Sequence, residues 1–136
     1  MAVEFSLVLM WFLTLIFGTI ELSRWLHGID AAQSAAQQAA RTAVVCGVGS
    51  GGPSRQASHL LSTLTGGTTT INYLPAGCCA SQATCGTACR GVEVRLTNYE
   101  VPSFFWIFPD MSVPNITTFL TRESMDSTDN AVMCAG

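Results

Sequence analysis

The stretch from residue 1 to residue 45, "MAVEFSLVLMWFLTLIFGTIELSRWLHGIDAAQSAAQQAARTAVV", decides the fold. Between Glu4 and Glu21 it holds sixteen residues without a charge. As a helix that run spans about 24 Å, a little short of the ~30 Å hydrocarbon core of a bilayer. Leu22, Trp25 and Leu26 extend its apolar side, and Trp25 suits a membrane–water interface. From Leu22 the apolar positions continue as Trp25, Leu26, Ile29, Ala32, Ala35, Ala36, Ala39, Ala40, Ala43 and Val44. Steps of three and four residues are a helical period. Gln33, Ser34, Gln37, Gln38 and Arg41 fill the other face. No proline interrupts residues 1–46, and alanine has the best helix propensity. One continuous helix of about 45 residues, on the order of 68 Å long, is predicted.

Half of that helix is lipid-compatible and half is amphipathic with a small-residue face. A helix packing only on its own domain would usually bring larger side chains to that face, because burying Leu gains more apolar area than burying Ala. The alanines near Ala32 and Ala35 are therefore expected to meet helices of other subunits, where small residues let backbones approach closely. The portion from Ala39 to Val44 is expected to pack on the chain's own sheet. A cleaved secretory signal is the competing reading of the first segment. No positive n-region precedes the run and no clear A-x-A site follows it, which disfavours that reading.

Outside the helix the chain changes character. "GVGSGGPSR" (47–55) is a Gly/Ser/Pro break that acts as a hinge. A short second helix is predicted in "SRQASHLLSTLT", with Leu60, Leu61 and Leu64 on one side. "TTTINYL" (68–74) reads as a strand, rich in β-branched residues. In "GVEVRLTNY" (91–99), Val92, Val94 and Leu96 alternate with Glu93, Arg95 and Thr97, the pattern of a half-buried strand. "SVPNITTFLTRES" (112–124) is a third strand whose first part Pro114 demotes to an edge or bulge. The fold class is thus α+β: a long N-terminal helix (1–46, with 1–26 as the membrane part) on a small antiparallel head of 47–136 with a disulfide-rich loop.

Composition narrows function. The 136 residues are 49% hydrophobic and only 11% charged, with net charge −3. Soluble domains usually carry roughly 25% charged residues, and the deficit is concentrated at the N-terminus. All six basic residues are Arg, scattered as Arg24, Arg41, Arg55, Arg90, Arg95 and Arg122 against nine acids. No basic patch exists to neutralise phosphates, so nucleic acid is not an expected partner.

Six cysteines stand at Cys46, Cys78, Cys79, Cys85, Cys89 and Cys134. An even number in a small, loop-rich head favours disulfides and an oxidising compartment over a metal knuckle. The C-C-x₅-C-x₃-C spacing lacks the paired C-x₂₋₄-C units of zinc sites, and His27 and His59 lie well outside it. Spacing does not choose among the connectivities, although Cys134 is placed to pin the polar tail after Ser124. No cofactor or metal is implied. Neither histidine has a nucleophile motif near it, and no G-x-G-x-x-G, P-loop or H-E-x-x-H is present, so an enzyme is not expected. "NIT" (115–117) fits a glycosylation acceptor, a frequent chance match. "FFWIF" (104–108) is either core filling for the small sheet, the favoured reading, or a patch that touches membrane or partner.

Residues Ala2-Val3-Glu4-Phe5, the apolar run, Phe17-Gly18, Glu21 with Arg24, and the alanine-rich continuation to Ala43 closely resemble the N-terminal segment of TadE-like proteins. These are pseudopilins or minor pilins of Tad (Flp) pilus systems, within the type IV pilin superfamily. "VEVRLTNY" and "FLTRES", with Arg122-Glu123, are similar to the weaker strand pattern of that family's C-terminal part. The resemblance implies a type IV pilin-like fold and a precursor with a basic leader cut by a prepilin peptidase. It implies an inner-membrane intermediate with a periplasmic head, then insertion into an extracellular homo- or hetero-filament by the pilus assembly machinery. The sequence reads as the mature form, although the family's glutamate usually stands one place further from the cut than Glu4 does. Arg24 and Arg41 after the run would favour an outside N-terminus, and a removed basic leader would reverse that.

In this frame Met1, Glu4, Phe5, Ala32 and Ala35 are the expected assembly residues. The α-amine of Met1 in an incoming subunit would pair with Glu4 of its neighbour. Breaking such a buried pair costs roughly 3–5 kcal/mol even where the intact pair adds little, so it is suited to setting register. A bitopic membrane protein with a periplasmic binding domain is the alternative, and a secreted disulfide-rich module a more distant one.

Overall fold

The computed structural model describes residues 2–46, 49–78, 89–105, 108–121 and 134. One helix, α1 (Ala2–Val45), is followed by a shorter α2 (Gly52–Leu60) and four strands. The strands are β1 (Thr65–Leu74), β2 (Gly91–Val101), β3 (Met111–Ser112) and β4 (Ile116–Thr121). α1 is unbroken over 44 residues, as the absence of proline and the alanine content dictate. It stops where the glycines begin: Cys46 still donates its amide to the Thr42 carbonyl, and Gly49 then takes a positive φ of 80°.

α2 starts on Gly52-Pro53, where proline's missing N–H costs no helical hydrogen bond. Pro53, Ala57, Leu61 and Leu64 are buried on one side of α2 and of the turn that follows it. The Gln56 side-chain amide donates to the Gln38 side-chain oxygen at 3.0 Å, joining α2 to the rim of α1.

β2 is the central strand. β1 lies antiparallel on one side, with Thr69 opposite Leu96, Ile71 opposite Val94 and Tyr73 opposite Val92. β4 lies antiparallel on the other, with Ile116 opposite Leu96 and Leu120 opposite Val92. The β1–β2 ladder skips Gly67 and Asn98, both of which have positive φ. Glycine is required at 67 because a Cβ there would run into the Tyr99 ring, whose hydroxyl hydrogen-bonds with that of Thr69 at 2.8 Å. The expected third strand is split. β3 pairs with Glu100 and Val101, β4 pairs with Gly91–Leu96, and Val113–Asn115 stand between them around Pro114. Arg122 and Glu123, expected at its end, lie outside the described residues.

The core lies between α1 and the sheet, with α2 beside it. Val92, Val94 and Leu96 of β2 are buried, with Ile71, Tyr73, Ile116 and Leu120 packed around them. α1 contributes Ala32, Ala35, Ala36, Ala39, Ala40 and Ala43, all with 0% exposure. This corrects the expectation that Ala32 and Ala35 face other subunits. The whole alanine stripe is covered by the chain's own head. Bulk comes from the sheet and from Leu61 and Leu64, and small residues on α1 let the helix lie close to them. Gly28 continues the same rule one turn earlier, where a Cβ would collide with the Val101 side chain.

Candidate membrane-boundary and assembly site

α1 divides at Glu21. From Val3 to Ile20 large apolar side chains stand exposed all around the helix, Val3 at 73%, Phe5 at 68%, Trp11 at 72% and Leu15 at 65% among them. No part of its most apolar window is buried, and the helix is long and apolar enough to cross a membrane. Glu4 and Phe5 sit in the first turns of this projecting part, on the helix surface. Met1 lies outside the described residues.

Burial begins with Glu21, at 5% exposure, and its carboxylate is satisfied by a distant segment. One oxygen, Oε1, accepts the backbone amides of Phe104 at 3.0 Å and Phe105 at 3.2 Å. The other, Oε2, faces the Arg24 guanidinium at 3.8 Å, one turn along the helix. Arg24 also donates to the Pro102 carbonyl at 3.3 Å, and its guanidinium carbon sits 5.7 Å from the centre of the Phe104 ring. Buried charge is costly unless paired and hydrogen-bonded, and here the loop after β2 supplies the partners. The Phe105 ring packs on Phe17 with centroids 4.7 Å apart. The base of the loop is held by the Ser103 amide, which donates to Asp110 Oδ1 at 2.9 Å.

This clamp was not assembled from the sequence. Glu21 and Arg24 are visible there as the first charges after the apolar run, an i, i+3 pair. Their attachment to residues 102–105 is a tertiary fact. Within "FFWIF" the core-filling expectation fails at Phe104, which is 74% exposed, while Phe105 and Phe108 are half-buried. Residues 106 and 107 lie outside the described residues. Trp25, expected at a membrane interface, is half-buried, and its indole N–H donates to the Ser112 carbonyl at 3.1 Å, fixing β3 to α1.

Two disulfides are present among the described residues. Cys46, at the end of α1, bonds Cys134 across 88 positions, and Cys78 bonds Cys89 across 11. Cys79 and Cys85 lie outside the described residues. His27 and His59 are exposed on α1 and α2. No cluster of three or more His, Cys, Asp or Glu side chains suited to a metal occurs among the described residues.

On the outer face of the sheet, Arg95 donates to Glu93 at 2.8 Å. That hydrogen bond holds the Glu93 carboxyl below its ordinary pKa, with smaller help from the Arg95 charge and Asn72 against a desolvation that opposes it. On the inner face, burial pushes the Tyr73 phenol up.

The architecture is that of a protein with a projecting apolar helix and a small α+β head packed on the helix's second half. A family model described as TadE-like protein matches residues 1–41, within the helical segment that carries the resemblance, and does not reach "VEVRLTNY" or "FLTRES". The match ends one turn before the end of α1 and leaves the head unmatched. No curated protein and no solved structure matches the chain.

Proposed function

We propose that this chain is a structural subunit of a Tad/Flp-like type IV pilus, a minor or a major pilin, which polymerises through the apolar half of α1. The observation that carries the reading is the division of α1 at Glu21. A long helix that is hydrophobic all round must be surrounded by lipid or by other helices. A filament subunit meets both in turn, the membrane before assembly and neighbouring helices after it. The TadE-like match falls on this same segment. Two disulfides in the head favour an oxidising compartment, consistent with a periplasmic head and then an extracellular filament. The partners are other copies or other pilins, a prepilin peptidase and the assembly machinery.

Within this reading Glu4 is the docking residue, pairing with the N-terminal amine of a neighbouring subunit, and Phe5 packs beside it. Glu4→Ala should leave membrane insertion intact and reduce the amount of sheared extracellular filament. Normal filament yield from this variant would overturn the docking role. Detergent-extractable protein that never enters filaments would favour the bitopic membrane protein instead.

A further inference from the structure

The Glu21 clamp has a consequence for the loop that completes it. With both the Phe104 and Phe105 amides committed to the carboxylate, the Phe105 ring lies toward the apolar half of α1 and the Phe104 ring lies beside it, 5.7 Å from the Arg24 guanidinium carbon. Phe105 lies on Phe17, and the Phe104 ring meets the Phe105 ring edge-on at 5.1 Å while remaining largely exposed. Phe17 is one turn before Glu21, about 6 Å nearer the N-terminus by helical rise. Crossing a bilayer takes about 20 residues, so a span starting near Val3 includes Phe17 and ends close to Leu22. In such a span Phe105, beside Phe17, would stand at the level of the acyl chains, and Phe104, beside Arg24, at the headgroup boundary.

We propose that Phe104 and Phe105 form a lipid-inserted foot: before assembly the head rests on the outer surface of the bilayer with the Phe105 ring among the acyl chains beside α1 and the Phe104 ring at the headgroup boundary. The inference rests on the reading of α1 as a membrane anchor. Continuity identifies lipid as the occupant. Through Phe105 on Phe17 the rings join the exposed apolar surface of that half of α1, and the Arg24 guanidinium beside Phe104 marks the headgroup side. Area argues against a second copy seated on the tip alone. Two aromatic side chains offer roughly 150–250 Å² each. A stable protein interface buries about 1,200–2,000 Å² in total. Insertion to about 5–10 Å at the headgroup–acyl boundary is within the ordinary range for apolar faces of interfacial segments. The foot would fix how deep and at what tilt α1 sits, and would keep Glu21 at the boundary where its partners hold it.

The test uses the full chain reconstituted in vesicles of phosphatidylethanolamine with a minority of phosphatidylglycerol. A benzophenone-bearing phenylalanine is placed in turn at position 104, at position 15 in the apolar helix, and at position 119 on the outer face of the sheet. After illumination, adducts are identified by mass spectrometry. Lipid adducts at 104 in yield comparable to 15, and severalfold above 119, are expected. Lipid adducts at 15 with none at 104 would overturn the foot and leave the anchor standing. Adducts at 104 to a second protein chain instead of lipid would overturn it in favour of a subunit contact. Absence of lipid adducts at both 15 and 104 would overturn the anchor and the foot together.

Discussion

The Glu21 carboxylate accepts the amide of Phe104 at 3.0 Å across 83 positions of sequence. Charged residues resume on α1 at Glu21, and the loop after β2 closes on the helix at that level. The neighbouring Arg24 and Phe105 contacts make this junction a polar lock with an apolar exterior. It joins the projecting half of α1 to the head, and its strength is measurable.

Glu21→Ala leaves two amide donors without their acceptor and Arg24 without its counter-charge. Losing a hydrogen-bond partner at a buried group costs about 1–3 kcal/mol. Denaturant unfolding of the head in detergent should show that loss, with faster proteolysis within residues 102–105. Glu21→Gln keeps an acceptor oxygen and should lose less. An alanine variant as stable as the parent would show that the lock contributes nothing.

Ala35→Trp should destabilise the head itself. Ala35 has 0% exposure in the single chain, and overpacking a filled core costs about 1–3 kcal/mol. Gln33→Trp, on the exposed face of the same helix, should stay within about ±0.5 kcal/mol. Thermal denaturation of both variants decides it. Equal melting behaviour would mean that the alanine face is not closed by the head.

The two disulfides should differ in worth. In the chain-entropy picture, a bridge closing 88 positions contributes about 4–5 kcal/mol and one closing 11 about 3 kcal/mol. Replacing Cys46 and Cys134 together by Ser should therefore lower the denaturation midpoint more than replacing Cys78 and Cys89. The reverse order, measured by denaturant unfolding under non-reducing conditions, would show that the loop after β1 depends on its bridge more than α1 depends on the tail.

Tyr73 and Glu93 predict opposite pH signatures. The Tyr73 phenol is raised, so its neutral form is favoured by folding. The stability it contributes is fully present below the ordinary tyrosine range and is lost as pH climbs through about 10 and above. Ultraviolet titration should find one tyrosine above the usual range, absent in Tyr73→Phe. Glu93 is lowered, chiefly by the Arg95 hydrogen bond. Its contribution is present above the ordinary carboxylate range and is lost as pH falls through the folded value. Solvent screening keeps that contribution small. Nuclear magnetic resonance titration should show the Glu93 midpoint moving back up in Arg95→Ala, and an unmoved midpoint would refute the assignment of its cause.

What the sequence determined by itself was local. The charge-free run and the alanine stripe specify one helix, because their period is set by residues three and four apart on the same backbone. The alternation of Val92, Val94 and Leu96 specifies a strand with one buried face, for the same reason at a period of two. Residues 1–41 also carried the TadE-like pattern. Propensity and period are silent about what lies across a face. Tertiary structure alone decided that Ala32 and Ala35 are covered by the chain's own sheet and α2, since small residues invite close approach without naming the neighbour. It also decided that Cys46 meets Cys134, and that Glu21 holds the amides of Phe104 and Phe105. Each of those pairings closes a long loop whose entropic cost is offset only by the packing of the whole head, and no short window of sequence contains that sum.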